Sequence, residues 1–207
     1  LTELPAPSLE AKPASDGKRL RADAQRNREK LIEVAGAAFA SNGVDTSLEA
    51  IARQADVGIA TLYRHFPTRE HLVEVVYRRE VEGLSAAACD LARDLPPDAA
   101  LEQWMLRCVD YIAAKRGMGN SLRILVTTNS KVFSDTADLV SNALTKLVAA
   151  AVADGSIRAD VEVSDILHGL FSTYGTPNSP DWRDRSRRLV SLLMDGLRWG
   201  APKAGKS

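Results

Sequence analysis

Tyr63, Arg64 and His65 stand in a row at the end of the segment VGIATLYRHF, and Arg69 follows just beyond Pro67. No nucleophile–base pairing is visible around them, so their types do not suggest catalysis. They suit another task, which is holding phosphate oxygens. Tyr63 and His65 can each reach a phosphate, Arg64 adds charge, and Arg69 sits where the free N–H groups of a new helix would also attract an anion. Thr46 stands at the start of another helix and is expected to do the same. Gly58, Ile59, Ala60 and Thr61 precede this cluster. They are small or apolar, so a backbone can approach a groove floor closely. Ile59 suits contact with a thymine methyl, and Thr61 offers a hydroxyl.

Other chemistry is weakly represented. The only histidines are His65, His71 and His168, and none has cysteine or paired-carboxylate neighbours at metal-ligand spacing. No metal site and no cofactor is expected. GMGNS, residues 117–121, follows no strand and lacks the lysine of a phosphate loop, so it reads as a helix break. Cys89 and Cys108 form no CxxC pair or disulfide framework. They read as small core hydrophobes in a reducing, cytoplasmic setting. No stretch approaches the roughly 20 apolar residues of a bilayer span, so no membrane partner is expected. LTELPAPSLEAKPASDG lacks the basic and apolar regions of a signal peptide.

The 207 residues carry 27 basic and 27 acidic side chains. The distribution says more than the sum. Lys18, Arg19, Arg21, Arg26, Arg28 and Lys30 face only Asp23 and Glu29 before the first strong helical pattern. Arg19 and Arg21 are expected on a flexible segment preceding that helix, placed to follow a minor groove.

The elements that must position these residues are all helical, about nine of them. Residues 1–17 and 201–207 read as flexible tails. From about Ala22, Leu31, Ala35, Ala38 and Phe39 share one face. Thr46 and Glu49 have capping-box spacing, which starts a second helix. A third helix runs from about Gly58 to His65, and a long fourth begins near Thr68 and ends at Pro96-Pro97. Leu101, Trp104, Met105, Cys108, Tyr111 and Ile112 stripe a fifth, which Gly117 and Gly119 interrupt. A short sixth carries Leu122 and Leu125. A seventh spans about Asp135 to Ala153, and an eighth carries Ile166, Leu170, Phe171 and Tyr174. A ninth runs from near Trp182 to Trp199.

Helices two and three are separated by very few residues. Ala52 permits close crossing, and Leu48, Ile51, Val57 and Leu62 can share a small core. That is the layout of a helix-turn-helix, whose second helix enters the DNA major groove. RADAQRNREKLIEVAGAAFASNGVDTSLEAIARQADVGIATLYRHFPTREHL, residues 21–72, resembles the DNA-binding domain of the TetR/AcrR family of bacterial transcriptional regulators. Arg28, Phe39, Gly43, Ile51-Ala52, Val57, Thr61-Leu62-Tyr63 and His65-Phe66-Pro67 carry the resemblance. Asp56 stands where the family usually has a turn glycine, and Gly58 where it often has a serine cap. Aspartate tolerates a left-handed turn, so the turn is expected to survive.

The resemblance implies a homodimer that binds a palindromic operator in double-stranded DNA, usually as a repressor, with a small-molecule effector held by the C-terminal helices. Residues 18–67 would then be the reader and 68–200 the effector and dimer domain. From the residues themselves, Trp104, Cys108, Tyr111 and Phe171 are candidates to bound an apolar cavity, with Tyr111, Tyr174 or His168 as its polar contacts. A hydrophobic effector is expected. Ile166, Leu170, Leu189, Leu193, Leu197 and Trp199 offer more apolar surface than one bundle needs, and are candidates for the dimer interface. A helical ligand-binding or docking module with a vestigial reader is the alternative, and an enzyme is a third possibility.

Overall fold

In the computed structural model the chain is described over residues 14–42, 46–128, 130–172 and 180–200, and these residues form eight α-helices and no strand. They are α1 (Ala14–Asn42), α2 (Leu48–Gln54), α3 (Ile59–His65), α4 (Arg69–Asp94), α5 (Pro97–Thr128), α6 (Ser130–Asp154), α7 (Val163–Ser172) and α8 (Trp182–Arg198). The fold class is as expected. The count is eight because the expected fifth and sixth helices abut without a loop inside α5, and the helical backbone breaks between them at Gly119. Gly119 has φ 54° and ψ −130°, a conformation open essentially to glycine alone. The glycine signal marks this break, as expected.

Each short helix has a local cause. The N-cap of α2 is Ser47, whose hydroxyl accepts from the Ala50 amide at 3.1 Å. Thr46, the expected cap, is instead buried, and its hydroxyl donates to the Ala38 carbonyl at 3.1 Å. The polar Thr46-Ser47 pair left the cap ambiguous by one residue, and burial decided it. Asp56 carries the turn before α3 with φ 54°, as the aspartate substitution requires. Thr68 caps α4 by accepting from the His71 amide.

Leu48, Ile51, Ala52, Val57 and Leu62 are all buried and join Leu31, Phe39 and Phe66 in the core under α3. Each fully buried leucine contributes about 1.5–3 kcal/mol. α4 leaves this core and packs mainly on α5, which also contacts α1, α6 and α8. α5 is therefore the central rod of the molecule.

Three further expectations are corrected. α1 begins at Ala14, so Arg19 and Arg21 lie within the helix and not on a segment preceding it. Cys108 is buried, whereas Cys89 is exposed. Ser134–Asp154 within α6 is 21 residues long with mean hydropathy 1.2, long and apolar enough to cross a bilayer by composition. In the fold it packs against α4, α5 and α7, and scattered alanines raise its hydropathy without a continuous run of large apolar residues. Tyr174, residues 1–13 and residues 201–207 lie outside the described residues.

Candidate nucleic-acid interface

α3 is held from beneath by Leu62, which is fully buried, and is closed by Phe66 at its C-cap. Phe66 is boxed in. The Arg28 guanidinium carbon lies 5.5 Å from its ring centroid, and the His71 ring meets it edge-on at 5.7 Å. Cation–π contacts of this kind are worth about 0.5–2 kcal/mol. The opposite face of α3 is turned outward. Ile59 is 38% exposed and Tyr63 44% exposed, unusual for residues so large, and Gly58, Ala60 and Arg64 are also exposed. Thr61 and His65 are half-buried at the edges of that face. The sequence-predicted reading residues are thus brought together on one convex surface, with no acidic side chain in the first turn of α3.

The flanking anchors are redistributed. Arg69 donates to the Thr46 carbonyl at 2.6 Å and lies over the Phe39 ring, 5.3 Å from its centroid. It ties the start of α4 to the segment entering α2 and to α1. Thr46 is its acceptor and is buried, and one Arg69 nitrogen is committed to the Thr46 carbonyl. One of the first amides of α4 is already satisfied by Thr68. Ser47, exposed at the start of α2, occupies the outward position that Thr46 was expected to hold. Arg19 and Arg21 are exposed on the first turns of α1, whereas Arg26 pairs with Asp23, and Glu29 accepts from Arg79 at 2.9 Å.

The C-terminal helices divide the remaining candidates. Trp104 and Cys108 have no exposed surface, and the Trp104 indole N–H donates to the Leu84 carbonyl at 2.9 Å. Burial pushes the Cys108 thiol far up, so it stays neutral. These two residues are core and not cavity wall. Tyr111 and Phe171 do meet, edge to face at 6.3 Å. Tyr77 of α4 joins them, with its hydroxyl 3.1 Å from the Thr136 hydroxyl of α6 and within 3.5 Å of the Tyr111 hydroxyl. His168 is exposed on α7 and does not join this group.

At the other end, Ile166, Leu170 and Leu197 are buried within the protomer, so they cannot form an outer face. Leu189 and Leu193 are half-buried, and Leu193 packs over Gly169 of α7, whose added Cβ would stand 3.5 Å from Leu193 Cδ1. Trp199 is 77% exposed and Leu192 is 68% exposed. The helical spacing of Leu189, Leu192 and Leu193 cannot tell which of two apolar faces turns inward until α7 is docked.

Comparison with known proteins agrees with this architecture. Residues 31–76 match the model of the bacterial regulatory proteins of the tetR family. Residues 96–199 match the C-terminal domain of SbtR-like transcriptional regulators. The HTH-type transcriptional repressor KstR of Rhodococcus jostii is 30% identical over 197 residues, covering 86% of this chain and 89% of that protein. The repressor KstR of Mycolicibacterium smegmatis is 42% identical over 69 residues, which span 32% of this chain and only 34% of that protein. A TetR transcriptional regulator from Streptomyces coelicolor has a solved structure with 42% identity and TM-score 0.74, over 86% of this chain and 99% of that one. A TetR regulator from Mycobacterium vanbaalenii follows with 35% identity and TM-score 0.67, over 86% and 99%. With one family model spanning half of the chain and a repressor matched along most of its length, the chain belongs to the TetR family of bacterial transcriptional regulators, which are DNA-binding proteins and not enzymes.

Proposed function

We propose that this protein is a repressor that binds a palindromic operator as a homodimer and is released by a small apolar effector. The observation that carries the reading is the exposure of Ile59 and Tyr63 on α3, directly above a fully buried Leu62 and Phe66. A rigid core is presenting an apolar and aromatic surface on a helix short enough to enter a major groove. Residues 18–67 supply the reader. Gly58, Ile59, Ala60 and Thr61 meet base edges, while Tyr63, Arg64 and His65 meet phosphates, and Arg19 and Arg21 extend the charge along α1. Residues 68–200 supply the effector and dimer domain.

The second copy is held through the outer face of α8. Leu192 and Trp199 are seven residues apart, which places them on one face of α8, and Leu189 and Leu193 flank it. Two such faces related by a two-fold axis make an isologous contact. The axis sets the distance between the two α3 helices. An effector that favours a spacing other than the roughly 34–36 Å between half-sites releases DNA by linkage. The related repressors of Rhodococcus and Mycolicibacterium support repression as the sense of control.

The test is a footprint on the DNA flanking the gene, followed by mobility-shift titrations at several salt concentrations. A protected palindrome, with affinity falling steeply as salt rises, is expected. Protection of no site, or affinity independent of salt, overturns the reading.

A further inference from the structure

Arg183, the second residue of α8, reaches two other helices at once. Its Nη2 donates to the Ala40 carbonyl of α1 at 2.8 Å, and its Nη1 to the Asp110 carboxylate of α5 at 3.5 Å. A planar guanidinium can serve two acceptors in this way, whereas an ammonium is a single point charge. Ala40 lies in the last turn of α1, where carbonyls run out of intrahelical amides and the helix carries its negative end. A cation is favoured there. The residues around Arg183 close the same junction. Trp182 is buried, and Arg116 of α5 stacks on its ring at 4.8 Å. The residue after Arg116 is Gly117, which abuts the Phe39 backbone of α1. The start of α8, α5 and the end of α1 therefore meet in one junction.

We propose that Arg183 is a positioning residue for operator recognition: it ties α8 directly to the reader, so that the dimer contact sets the distance between the two α3 helices. The inference rests on the homodimeric repressor reading above and adds the residue that carries spacing from the two-fold axis to the reader. α4 follows the reader along the chain and packs mainly on α5. Arg183 instead joins the reader to the helix whose later turns expose Leu192 and whose C-cap is the exposed Trp199. α8 has 17 residues and is a rod roughly 25 Å long. A tie near one end and a partner copy toward the other leave the reader little freedom to swing. That matters for a palindrome. Once one α3 helix occupies its half-site, the second binds at an effective concentration set by how narrowly the spacing is defined. A loosened reader spreads that spacing, so the matched operator loses affinity and mismatched ones lose less. Random duplex offers phosphates in every register and selects no spacing.

The experiment uses the full chain and the operator duplex protected in the footprint, together with versions carrying one or two base pairs inserted or removed at its centre. Each base pair moves the half-sites by about 3.4 Å. Affinities for these and for a random duplex are measured with the natural protein, Arg183→Met and Asp110→Asn, and the mass of each is read by sedimentation. Arg183→Met keeps an apolar stem and removes both donors, and each dimer loses the tie twice. It is expected to weaken the matched operator about tenfold and to narrow the preference for the natural spacing. Random-duplex affinity and dimer mass should stay as they were. Asp110→Asn should narrow the preference by a smaller factor, although removing an acid favours DNA of every sequence. Unchanged operator affinity and spacing preference in Arg183→Met overturn the proposal and leave the repressor reading standing. Equal weakening on operator and random duplex overturns it by making Arg183 a phosphate contact, and a monomeric Arg183→Met overturns it by making Arg183 a dimer contact. A natural protein indifferent to half-site spacing overturns the proposal together with the homodimer reading. If Arg183→Met does not fold, Asp110→Asn decides, and a spacing preference as sharp as the natural protein's overturns the tie.

Discussion

Gly117 and Phe39 are in backbone contact: a Cβ added at Gly117 would stand 1.8 Å from the Phe39 carbonyl oxygen and 2.5 Å from its carbonyl carbon. No side chain can move aside there, because the obstacle is the main chain of α1. The central rod and the first helix of the reader are therefore as close as two helices can be. Gly117→Ala is expected to push α5 and α1 apart, lowering stability by about 1–3 kcal/mol or more, and to weaken operator binding by shifting the reader. Gly83→Ala is the control. Nothing lies within 4 Å of a Cβ there, and it sits within α4. It should raise stability by about 0.5–1 kcal/mol. Urea unfolding and mobility shifts of both variants check the pair.

Arg69 acts as a brace. Its bond to the Thr46 carbonyl and its position over Phe39 link the starts of α2 and α4 to α1. Arg69→Ala should cost about 1.5–3 kcal/mol, the usual worth of a hydrogen bond from a charged group. The salt dependence of DNA binding should stay as it was in protein that remains folded. A salt slope smaller by about one, with unchanged stability, would return Arg69 to the phosphate contacts.

Tyr63 and Ile59 are predicted to fail in different ways. Tyr63→Phe removes a phosphate contact and should weaken specific and random DNA about equally. Ile59→Ala removes an apolar contact to a base and should lower discrimination between operator and a single-base variant by about 1 kcal/mol, near the lower end for one base pair. Parallel titrations on operator and random duplex separate the two. Equal effects of both variants on both DNAs would refute the division of labour.

Leu192→Asp is expected to give monomers by analytical sedimentation, because it places a charge on the exposed apolar face of α8 without touching the core. If the protomer is unstable alone, the variant will unfold at low concentration instead. A folded dimer of unchanged mass would place the interface elsewhere.

Glu80 carries a pH prediction. Burial raises its carboxyl pKa above the ordinary 4.5, with Arg79 opposing, and its Oε1 lies 2.9 Å from where a Cβ on Gly36 would stand. The folded state thus holds the proton more tightly than the unfolded chain does. Between the ordinary value and the raised one, stability increases as pH falls. Above that window the charged form costs stability. Glu80→Gln should therefore raise the melting temperature at neutral pH, and the gain should vanish as pH falls to about 4.5. A gain independent of pH would attribute the effect to packing.

Much of the reader was legible in the chain itself. Helical periodicity and the close spacing of Leu48 through Leu62 are local signals, and local signals survive without knowledge of neighbours. Asp56 in a left-handed turn could be expected from its side chain alone, and φ 54° agrees. The choice between Thr46 and Ser47 could not, because both can cap a helix and only contact with Ala38 buries the first. Arg69 looked like any exposed cation at a helix start, and only the approach of the Thr46 carbonyl and the Phe39 ring gave it a different partner.

In the C-terminal half the balance reverses. Apolar stripes there predict helices but not which stripe meets which helix. Trp104 and Leu192 are both large apolar residues at helical spacing, yet one is fully buried and the other 68% exposed. Lys115 was silent in the sequence, since a lysine in a helix is ordinarily a solvated side chain. Its place among aromatic rings arises only when Tyr77, 38 positions before it, and Phe171, 56 positions after it, arrive beside it. Periodicity encodes the face of a helix. The partner of that face is decided by packing between distant segments, and a burial environment is a property of the partners.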